Sequence, residues 1–540
     1  MPSVSTSGWD VVSLTDIDTL NKIAGENHPY PDKFEQTTKI IGQQLKIEGR
    51  WGEWRIANEA SGKNVYMQCF IQNGSATIFG KNYPLNANEE LSSITIQISL
   101  AGLEALPEKW LSQDDDTSTI TEQTQCFELI INQQEVIIIT QANFTNPELY
   151  SEDVGLATPI ESAFKLWLNN NIDQLKQIFS VVLIGLRANK GDFQWLKPSA
   201  YSYSANSSID KKTAAFGALT LIDGKTDIGH LQQTVDIAAL QLVKPFGANA
   251  ALSVSKAMFV KHILLPAAIA IVKSSTAADF DISESGLSLT NNREMLWQEF
   301  DGPNGEKMSP MLPKESFNLT LQSDYIHISI VGAHYRPRAG MTLYMNLEQN
   351  FKYKVEKNKQ GEPVFVPDNE GLGDGTLSCT VVLDDWLKWY ELVMSIITLI
   401  ASVLALGTWF AGGLAKAARA TVEGVEATRT ATFSFRFFKS ISNTRILAPI
   451  AARIAGGVAS HPTIFNTIKI ASNVTAATTG IAWGSILLSD AIYKQIYDDV
   501  PAFRLFASNI TSAVKWPEID NIELKSATLA DSFVIGLNLT

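Results

Sequence analysis

The chain has 540 residues, of which 45% are hydrophobic and 18% charged, a composition that indicates a globular protein and excludes a disordered one. Its formal net charge of -13 excludes the broad basic surface of nucleic-acid-binding proteins, so nucleic acid is not an expected partner. The three cysteines, Cys69, Cys126 and Cys379, have neither paired nor metal-ligating spacing, which predicts buried, reduced thiols.

Residues 1–18 contain no basic segment followed by an apolar core. A classical secretory signal is therefore not expected, and we expect synthesis in the cytoplasm. Release or secretion by a non-classical route stays open.

The amino-terminal part begins with a strand and a helix and continues mainly as strands. Residues 8–20 predict a short strand followed by a helix that Thr15 or Asp16 caps. The pair Asn73-Gly74 predicts a hairpin turn, because this dipeptide favours the positive φ angles of tight turns. Apolar residues at helical spacing predict a helix over residues 161–186.

Helices and strands then alternate up to the carboxyl terminus. Residues 253–272 predict a helix that Pro266 should bend or end. Residues 293–382 predict a β-meander, and residues 522–539 predict strands that rejoin an earlier sheet. Between them, residues 384–499 predict a block of apolar helices.

Residues 392–415 contain no charged side chain. At about 1.5 Å per residue, a helix of this length can cross a bilayer core of about 30 Å. The same composition fits a helix buried inside a large domain, and the strand-rich sequence before it favours this interpretation. The membrane-spanning alternative stays open.

Residues 411–470 reverse the acidic balance of the chain, since they carry eight Lys or Arg residues against two Glu residues. Such a basic excess beside apolar helices can attract anionic lipid headgroups. Alternatively, these basic side chains keep the helix ends in contact with water. Aromatic and basic side chains interleave within it, which favours a membrane contact or a helix connector packed on the sheet. The candidate lipid or membrane-contact residues are Phe433, Phe435, Arg436, Phe437, Phe438 and Lys439.

The sequence contains no recognisable catalytic motif. It has no nucleophile elbow, phosphate-binding loop, zinc HExxH motif or dinucleotide-binding glycine pattern. The six histidines are scattered, and His327 lies in an alternating strand that places it on the face opposite to Ile326 and Ile328. We therefore expect no enzymatic activity, no catalytic residue, no cofactor and no metal site.

Short segments along nearly the whole chain resemble, in order, those of one bacterial family. They are Gly8-Trp9-Asp10, Trp51-Gly-Glu-Trp54, Gly62-Lys63-Asn64, Trp195-Leu-Lys-Pro198, Phe216-Gly217, residues 255–266, Gly340-Met-Thr-Leu-Tyr and Leu524-Lys-Ser-Ala. The family is that of the forty-seven-kilodalton and OrfX proteins encoded beside botulinum neurotoxins, with relatives in other bacterial toxin loci. The resemblance implies a tubular lipid-binding (TULIP) fold, lipid or phosphoinositide binding in some members, and no enzymatic activity. It carries over no site residues.

Together, these observations predict an α+β, TULIP-like protein with strongly curved antiparallel sheets wrapped around long apolar helices and a C-terminal helical block. We expect two TULIP-like regions, residues 1–245 and 246–540. The expected function is binding of lipid or phospholipid, in a hydrophobic groove or at a membrane surface, as an accessory to a toxin or secreted complex. One alternative is a scaffold or chaperone that contacts toxin-complex proteins without a lipid cargo. Another is a toxin component that inserts residues 392–415 into a membrane.

Overall fold

The computed structural model describes most of the amino-terminal half of the chain and separate segments after it. The chain forms two compact units. The amino-terminal unit comprises Pro2–Ser255, Arg504–Ser526 and Val534–Thr540, and the central unit comprises Lys256–Phe503 and Ala527–Phe533. The described residues are 3–27, 30–40, 42–58, 61–110, 124–151, 155–175, 177–184, 194–272, 274–297, 300–301, 307–338, 340–357, 363–368, 371–372, 375–383, 415–426, 430–439, 514–516, 519 and 521–540.

The elements are numbered in chain order. The strands before residue 256 are β1 (Val11–Asp16), β2 (Lys33–Ile40), β3 (Gln43–Ile56), β4 (Ser61–Gly62), β5 (Val65–Ile78), β6 (Lys81–Pro84), β7 (Ser92–Ile98), β8 (Leu100–Ala105), β9 (Gln125–Ile131), β10 (Ile138–Asn143), β11 (Ile178–Ile184), β12 (Ala200–Ser207), β13 (Ala214–Leu221) and β14 (Ala250–Val254). The helices are α1 (Ile17–Asn27), α2 (Ala157–Asn170), α3 (Ala238–Val243), α4 (Lys256–Phe259) and α5 (Leu265–Ile271).

The remaining strands follow α5. They are β15 (Phe280–Ile282), β16 (Ser288–Asn291), β17 (Met295–Leu296), β18 (Phe300–Asp301), β19 (Lys307–Met308), β20 (Met311–Leu312), β21 (Phe317–Leu321), β22 (Ile326–Arg338), β23 (Met341–Lys357), β24 (Pro363–Asp368), β25 (Gly375–Leu383), β26 (Ala415–Glu426), β27 (Thr430–Lys439), β28 (Val514–Lys515), β29 (Ile522–Leu529) and β30 (Phe533–Leu539).

The strands of the amino-terminal unit form antiparallel sheets. One sheet has the order β29-β30-β14-β1-β13-β12-β4, and a smaller one has the order β28-β11-β9-β8. Strand β30 lies beside β14 and β29 lies beside β30, which confirms that the carboxyl-terminal strands rejoin an earlier sheet. A further sheet has the order β10-β7-β5-β3-β2, with β6 paired to β5.

This last sheet curls around a helix. Helix α2 contacts β2 and β3 at one side of the sheet and also contacts β10, which is the opposite edge. Neighbouring strands lie about 4.8 Å apart, so the two edges of a flat five-stranded sheet are too far apart for one helix to contact both. The sheet must therefore bend around α2. We call the sheet β10-β7-β5-β3-β2 with α2 the half-barrel.

A pair of glycines allows the bend in the half-barrel. Gly49 of β3 lies opposite Gly74 of β5, and the register of the two strands shifts one residue further along, between Arg50 and Trp51. A Cβ atom on Gly74 would lie 2.8 Å from Cζ of Phe34, so only glycine leaves room for this ring. The predicted hairpin turn at Asn73-Gly74 is therefore wrong, because the glycine serves close packing inside β5 and not a turn.

The predicted helix over residues 161–186 is only half correct. Helix α2 ends at Asn170, and the side-chain amide of Asn171 donates a hydrogen bond of 2.8 Å to the carbonyl oxygen of Trp167. The chain then enters β11, where the β-branched Val181 and Val182 favour an extended backbone. The apolar residues after the helix therefore continue its pattern only by coincidence.

The predicted helix over residues 253–272 is confirmed for residues 256–271. It runs from α4 through the π-helical turn Val260–Leu264 into α5, and Pro266 lies at the start of α5. Pro266 has no N–H to donate and its ring crowds the preceding turn, which the wider π-helical turn accommodates. Pro266 therefore does not end this helix.

The central unit is built on one large antiparallel sheet, which confirms the predicted β-meander. Its main order is β15-β16-β21-β22-β23-β25-β27-β26. Strand β24 pairs with β23, and the β17–β20 pair joins through β20 to β22. Strands β18 and β19 form a separate pair.

The predicted helical block over residues 384–499 is wrong in its described part. Residues 415–426 and 430–439 form β26 and β27, which extend the central sheet after β25. Residues 430–439 alternate apolar and polar types over much of their length, and this period of two suits a strand. Residues 392–414 and the rest of the block lie outside the described residues.

The described protein is thus mostly antiparallel sheet with few helices, and its longest α-helix, α2, has 14 residues. The long apolar helices of the predicted fold are not found in the described parts of the chain. Among the helices that the structure describes, none combines the length and the hydropathy needed to cross a membrane.

Candidate functional site

One face of the central sheet is lined by buried apolar side chains. Leu319 of β21 lies opposite Ile328 of β22, and Ile330 of β22 lies opposite Leu347 of β23. None of these four side chains is more than 1% exposed. Because alternate residues of a strand share one face of a sheet, they form a continuous apolar surface, which we call the apolar row.

The backbone register extends the apolar row beyond β23. Leu347 lies opposite Leu377 of β25, and Leu377 in turn lies opposite Phe435 of β27. Two residues along β25, Cys379 lies opposite Phe433. Sequence reasoning missed Leu377 and Cys379 as members of this face, although apolar and polar residues alternate in their segment.

All six predicted lipid or membrane-contact residues lie in β27. This strand pairs with β25 on one side and with β26 on the other, so the alternative of a helix connector is wrong. Phe433, Phe435 and Phe437 occupy alternate positions and share one face of the strand, whereas Arg436 and Phe438 occupy the positions between them. By the same alternation, Lys439 falls in register with Phe433, Phe435 and Phe437, so each set of positions in β27 contains both an aromatic and a basic residue.

The basic residues of β27 meet those of β26 in register. Arg436 lies opposite Arg419, and Phe438 lies opposite Lys416. Lys439 is the last residue of β27. The sequence indicated the local basic excess but could not indicate which residues pair.

The face of the central sheet opposite to the apolar row is polar. Nδ1 of His327 lies 2.8 Å from Oδ1 of Asn350 on the neighbouring strand β23. Ile326 and Ile328 on either side of this histidine are 0% exposed, whereas His327 is half-buried. The prediction that His327 faces away from these two isoleucines is confirmed.

Aromatic side chains occupy the concave side of the half-barrel. The ring centroids of Phe34 and Phe164 lie 4.9 Å apart, and those of Trp51 and Trp167 lie 5.4 Å apart. The centroids of Trp51 and Trp54 are separated by 5.2 Å in an edge-to-face arrangement. All five side chains are at most 4% exposed. The half-barrel is therefore closed by its own side chains, and α2 contributes two of the rings.

A shallow cleft of about 310 Å³ lies on the outer surface of the amino-terminal unit, between Asn73, Asn86 and Glu90. The side-chain amide of Asn86 donates hydrogen bonds of 2.9 and 3.0 Å to the carbonyl oxygens of Ile71 and Gln72. These hydrogen bonds fix the Asn86 side chain to the backbone that lines the cleft. Within the described ranges, no three His, Cys, Asp or Glu side chains are grouped so that they could hold a metal ion.

Two carboxyl groups have pKa values that their surroundings shift in opposite directions. Nε of Arg293 lies 2.5 Å from Oδ1 of Asp279, and this hydrogen bond lowers the pKa of Asp279 to about 2. Asp279 also accepts a 2.8 Å hydrogen bond from the backbone N–H of Thr276, which caps the turn before β15. In the other unit, burial raises the pKa of Asp16, although its ion pair with Lys244 opposes this shift.

The chain is similar to proteins of one bacterial family. The model of the OrfX-like family, described as Protein OrfX2/OrfX3/P47, matches residues 6–441. Protein OrfX3 of Clostridium botulinum (strain Kyoto / Type A2) is 22% identical over 389 residues, which covers 68% of this chain and 76% of that protein. Protein OrfX3 of Paraclostridium bifermentans is 25% identical over 441 residues, covering 76% of this chain and 85% of that protein.

A solved structure supports the same assignment of the fold. The structure of P47 from Clostridium botulinum A2 superposes with a TM-score of 0.59 at 15% sequence identity and covers 99% of this chain and 98% of that chain. At this identity the likeness concerns the fold alone. It fits the arrangement found here of mostly antiparallel sheets with a curled half-barrel and few helices.

Proposed function

Because the chain belongs to the OrfX-like family of proteins OrfX2, OrfX3 and P47 found in botulinum toxin clusters, we propose that it is a non-enzymatic, TULIP-type lipid-binding protein. We further propose that it acts as an accessory to a bacterial toxin or secreted complex. The observation that supports lipid binding is the apolar row of the central sheet, which the register continues through Leu377 to Phe435.

The apolar row suits an acyl chain for energetic reasons. Burial of each methylene group contributes about 0.8 kcal/mol, so ten methylenes contribute about 8 kcal/mol. That exceeds the lower estimates of the entropic cost of association, which begin at about 4 kcal/mol. An acyl chain along β25 and β27 would therefore bind without a catalytic group or cofactor.

The test is to measure lipid in the purified full-length protein by native mass spectrometry and by organic extraction. We expect lipid to co-purify, and we expect Phe435→Ala to lower its amount several-fold. Ser434→Ala is the matched control, because residue 434 occupies the other face of the same strand. No co-purifying lipid together with no liposome or lipid-overlay binding would contradict the proposal. Equal lipid in both variants would exclude β27 as the site.

We propose that an anionic headgroup, such as that of a phosphoinositide, binds where Arg419 and Arg436 lie opposite each other. An anion between two guanidinium groups removes their repulsion and receives charge-assisted hydrogen bonds. Arg436→Gln should weaken binding to phosphoinositide-containing vesicles about tenfold, the effect of losing about 1.4 kcal/mol. Arg50→Gln, which changes an exposed arginine of β3, should leave it unchanged. Equal binding by the two variants would contradict this site.

A second candidate function is that of a scaffold or chaperone for toxin-complex proteins. The filled interior of the half-barrel favours it, since Trp51 and Phe164 occupy the space that a cargo would need there. Pull-down of the proteins encoded beside this chain, by a preparation free of lipid, would favour the scaffold. Capture of those proteins only by lipid-loaded protein would favour the lipid-binding proposal.

Membrane insertion of residues 392–415 is a third proposal, which rests on their composition alone. It predicts dye release from liposomes that is lost when Ala405→Asp places a charge in the apolar segment. Absence of release at every pH tested would exclude it. We also propose cytoplasmic synthesis followed by release through a non-classical route, which fractionation of the producing cells would test.

A further inference from the structure

A tight turn of the half-barrel exposes a phenylalanine. Ile78 of β5 pairs with Lys81 of β6, so the two strands are joined by the two-residue turn Phe79-Gly80. The Phe79 side chain is 75% exposed, although Ile78 beside it is only 4% exposed. A large ring therefore projects from the end of the hairpin and does not contribute to the core.

The backbone of this turn is unfavourable for phenylalanine. Phe79 has a φ angle of +52° and Gly80 a φ angle of +73°, the pair of positive angles that defines a type I′ hairpin turn. Asn-Gly is the preferred sequence for such a turn, and bulky residues with positive φ are rare because their Cβ is crowded. Phe79 thus occupies a strained position and gains no packing in return, which indicates a role outside folding.

Two lysines lie at the same end of the sheet as this exposed ring. Leu45 of β3 pairs with Ile78, so the β2–β3 turn and the β5–β6 turn lie at the same end of the sheet. Lys39 near the end of β2 is exposed and lies two strand spacings, or about 10 Å, from Phe79. Lys81 is the first residue of β6 after the turn, and its Nζ lies 4.5 Å from the centre of the Tyr83 ring on the same strand.

The charge at this end of the half-barrel is opposite to that of the whole chain. Residues 36–45 and 76–83 contain Lys39 and Lys81 and no acidic residue, whereas the chain has a net charge of -13. This end of the half-barrel thus combines one projecting aromatic ring with a lysine on β2 and a lysine on β6. We call Phe79, Gly80, Lys39 and Lys81 the hairpin tip.

We propose that the hairpin tip docks the protein on an anionic membrane surface. The Phe79 ring would enter the boundary between headgroups and acyl chains, and the two ammonium groups would lie at the lipid phosphates. A membrane fits these observations better than a protein pocket does, because a fluid interface accepts a single ring without a shaped partner site. This inference deepens the proposed lipid-binding function, since a lipid carrier must reach a bilayer to load or release its cargo.

The test measures partition of the full-length protein onto vesicles of phosphatidylcholine with phosphatidylserine, and onto phosphatidylcholine alone. Phe79→Ala should lower partition onto the mixed vesicles about tenfold, which corresponds to burial of a large apolar side chain. Lys39→Gln combined with Lys81→Gln should remove the preference for the anionic vesicles. The matched control is Leu106→Ala, because Leu106 is also 75% exposed but lies between Glu104 and Glu108.

A second variant separates docking from folding. Phe79→Asn suits the type I′ turn, so it should raise the melting temperature by about 2 °C and still lower vesicle partition. A polarity-sensitive fluorophore attached to Phe79→Cys should shift to shorter wavelength when anionic vesicles are added, because the label leaves water.

Several results would overturn the inference. One is that the unaltered chain does not bind vesicles. Another is that Phe79→Ala and Leu106→Ala partition onto vesicles equally. A third is that Phe79→Ala loses a partner protein but still binds vesicles. Co-purified lipid is measured on the same variants and should not change in Phe79→Ala. If no lipid co-purifies but docking depends on Phe79, the lipid-cargo proposal fails and the docking inference stands.

Discussion

The half-barrel and the central sheet are both antiparallel, but their apolar faces are occupied differently. In the half-barrel, the rings of Trp51, Phe164 and Trp167 pack against each other on the concave side. In the central sheet, the apolar row consists of smaller aliphatic side chains, and its register continues to Leu377 and Phe435. The comparison teaches that curvature of a sheet does not by itself make a lipid site. The described inward side chains are buried in both sheets, by aromatic rings in the half-barrel and by aliphatic groups in the central sheet.

The largest effect that would test this comparison is expected at Trp51. Trp51→Ala removes a ring that is 4% exposed and should destabilise the amino-terminal unit by about 3–5 kcal/mol, as measured by urea denaturation. Phe79→Ala is the control, since it removes an exposed ring from the same sheet. A folded Trp51→Ala protein that gains bound lipid would show that side-chain volume alone closes the half-barrel. Equal stability of both variants would contradict the filled core.

A smaller effect is expected at the glycine pair that allows the bend. Gly74→Ala should cost about 1–3 kcal/mol, because the new methyl group would lie within 2.8 Å of Phe34 and 3.0 Å of Leu85. Gly52→Ala is the matched control in β3, since its Cβ would lie no closer than 3.4 Å to any other atom. Phe34→Leu should partly restore the stability of Gly74→Ala. If Phe34→Leu did not restore stability, the destabilisation by Gly74→Ala would not come from contact with the Phe34 ring.

In the central unit, the ion pair at the beginning of the sheet should produce an acid-dependent effect. Because the pKa of Asp279 is lowered to about 2 from 3.8, the carboxylate stabilises the fold fully above 3.8 and loses this contribution as the pH falls towards 2. Asp279→Asn should lower the melting temperature by a few degrees at neutral pH. The difference from the unaltered chain should shrink as the pH falls from 3.8 and disappear below about pH 2. A difference independent of pH would contradict the role of the carboxylate charge.

The smallest effect is expected on the outer surface of the half-barrel. Glu35 of β2 lies opposite Glu48 of β3, and Nζ of Lys46 lies 2.9 and 2.8 Å from their carboxylates. Lys46→Gln leaves two like charges facing each other, but water and salt screen them. We expect a loss of about 1 °C in melting temperature, and less at high salt. A larger loss would mean that the outer face, and not only the aromatic interior, holds the curled sheet together.

Strand alternation allowed the sequence to predict part of the central sheet. The apolar residues Ile326, Ile328 and Ile330 alternate with polar ones, and this period of two is a property of neighbouring residues only. Residues 430–439 carry the same alternation, but they lie between apolar, Ala-rich segments, which place them in the predicted helical block. The strand is established by the pairing of β27 with its neighbours on both sides, and its partners in β25 lie about 50 to 60 positions earlier in the chain.

The candidate site was predicted only as a segment. The sequence indicated that residues 433–439 combine aromatic and basic side chains, but it could not indicate that Arg436 meets Arg419 or that Phe435 meets Leu377. The exposed ring of Phe79 was missed because the Phe-Gly pair resembles part of an ordinary strand. The sequence feature that could have indicated this turn is Gly80, directly before Lys81. It identifies a two-residue turn only when Ile78 is known to pair with Lys81.

The sequence by itself determined the strand-rich character of the chain, the direction of its charge and its family resemblance. These properties depend on composition, on short-range periodicity and on motifs that remain recognisable without coordinates. The tertiary structure decided which strands pair, which apolar face is filled by aromatic rings and which rings project into solvent. Register and packing depend on contacts between residues far apart in the chain, and a local pattern carries no information about such partners.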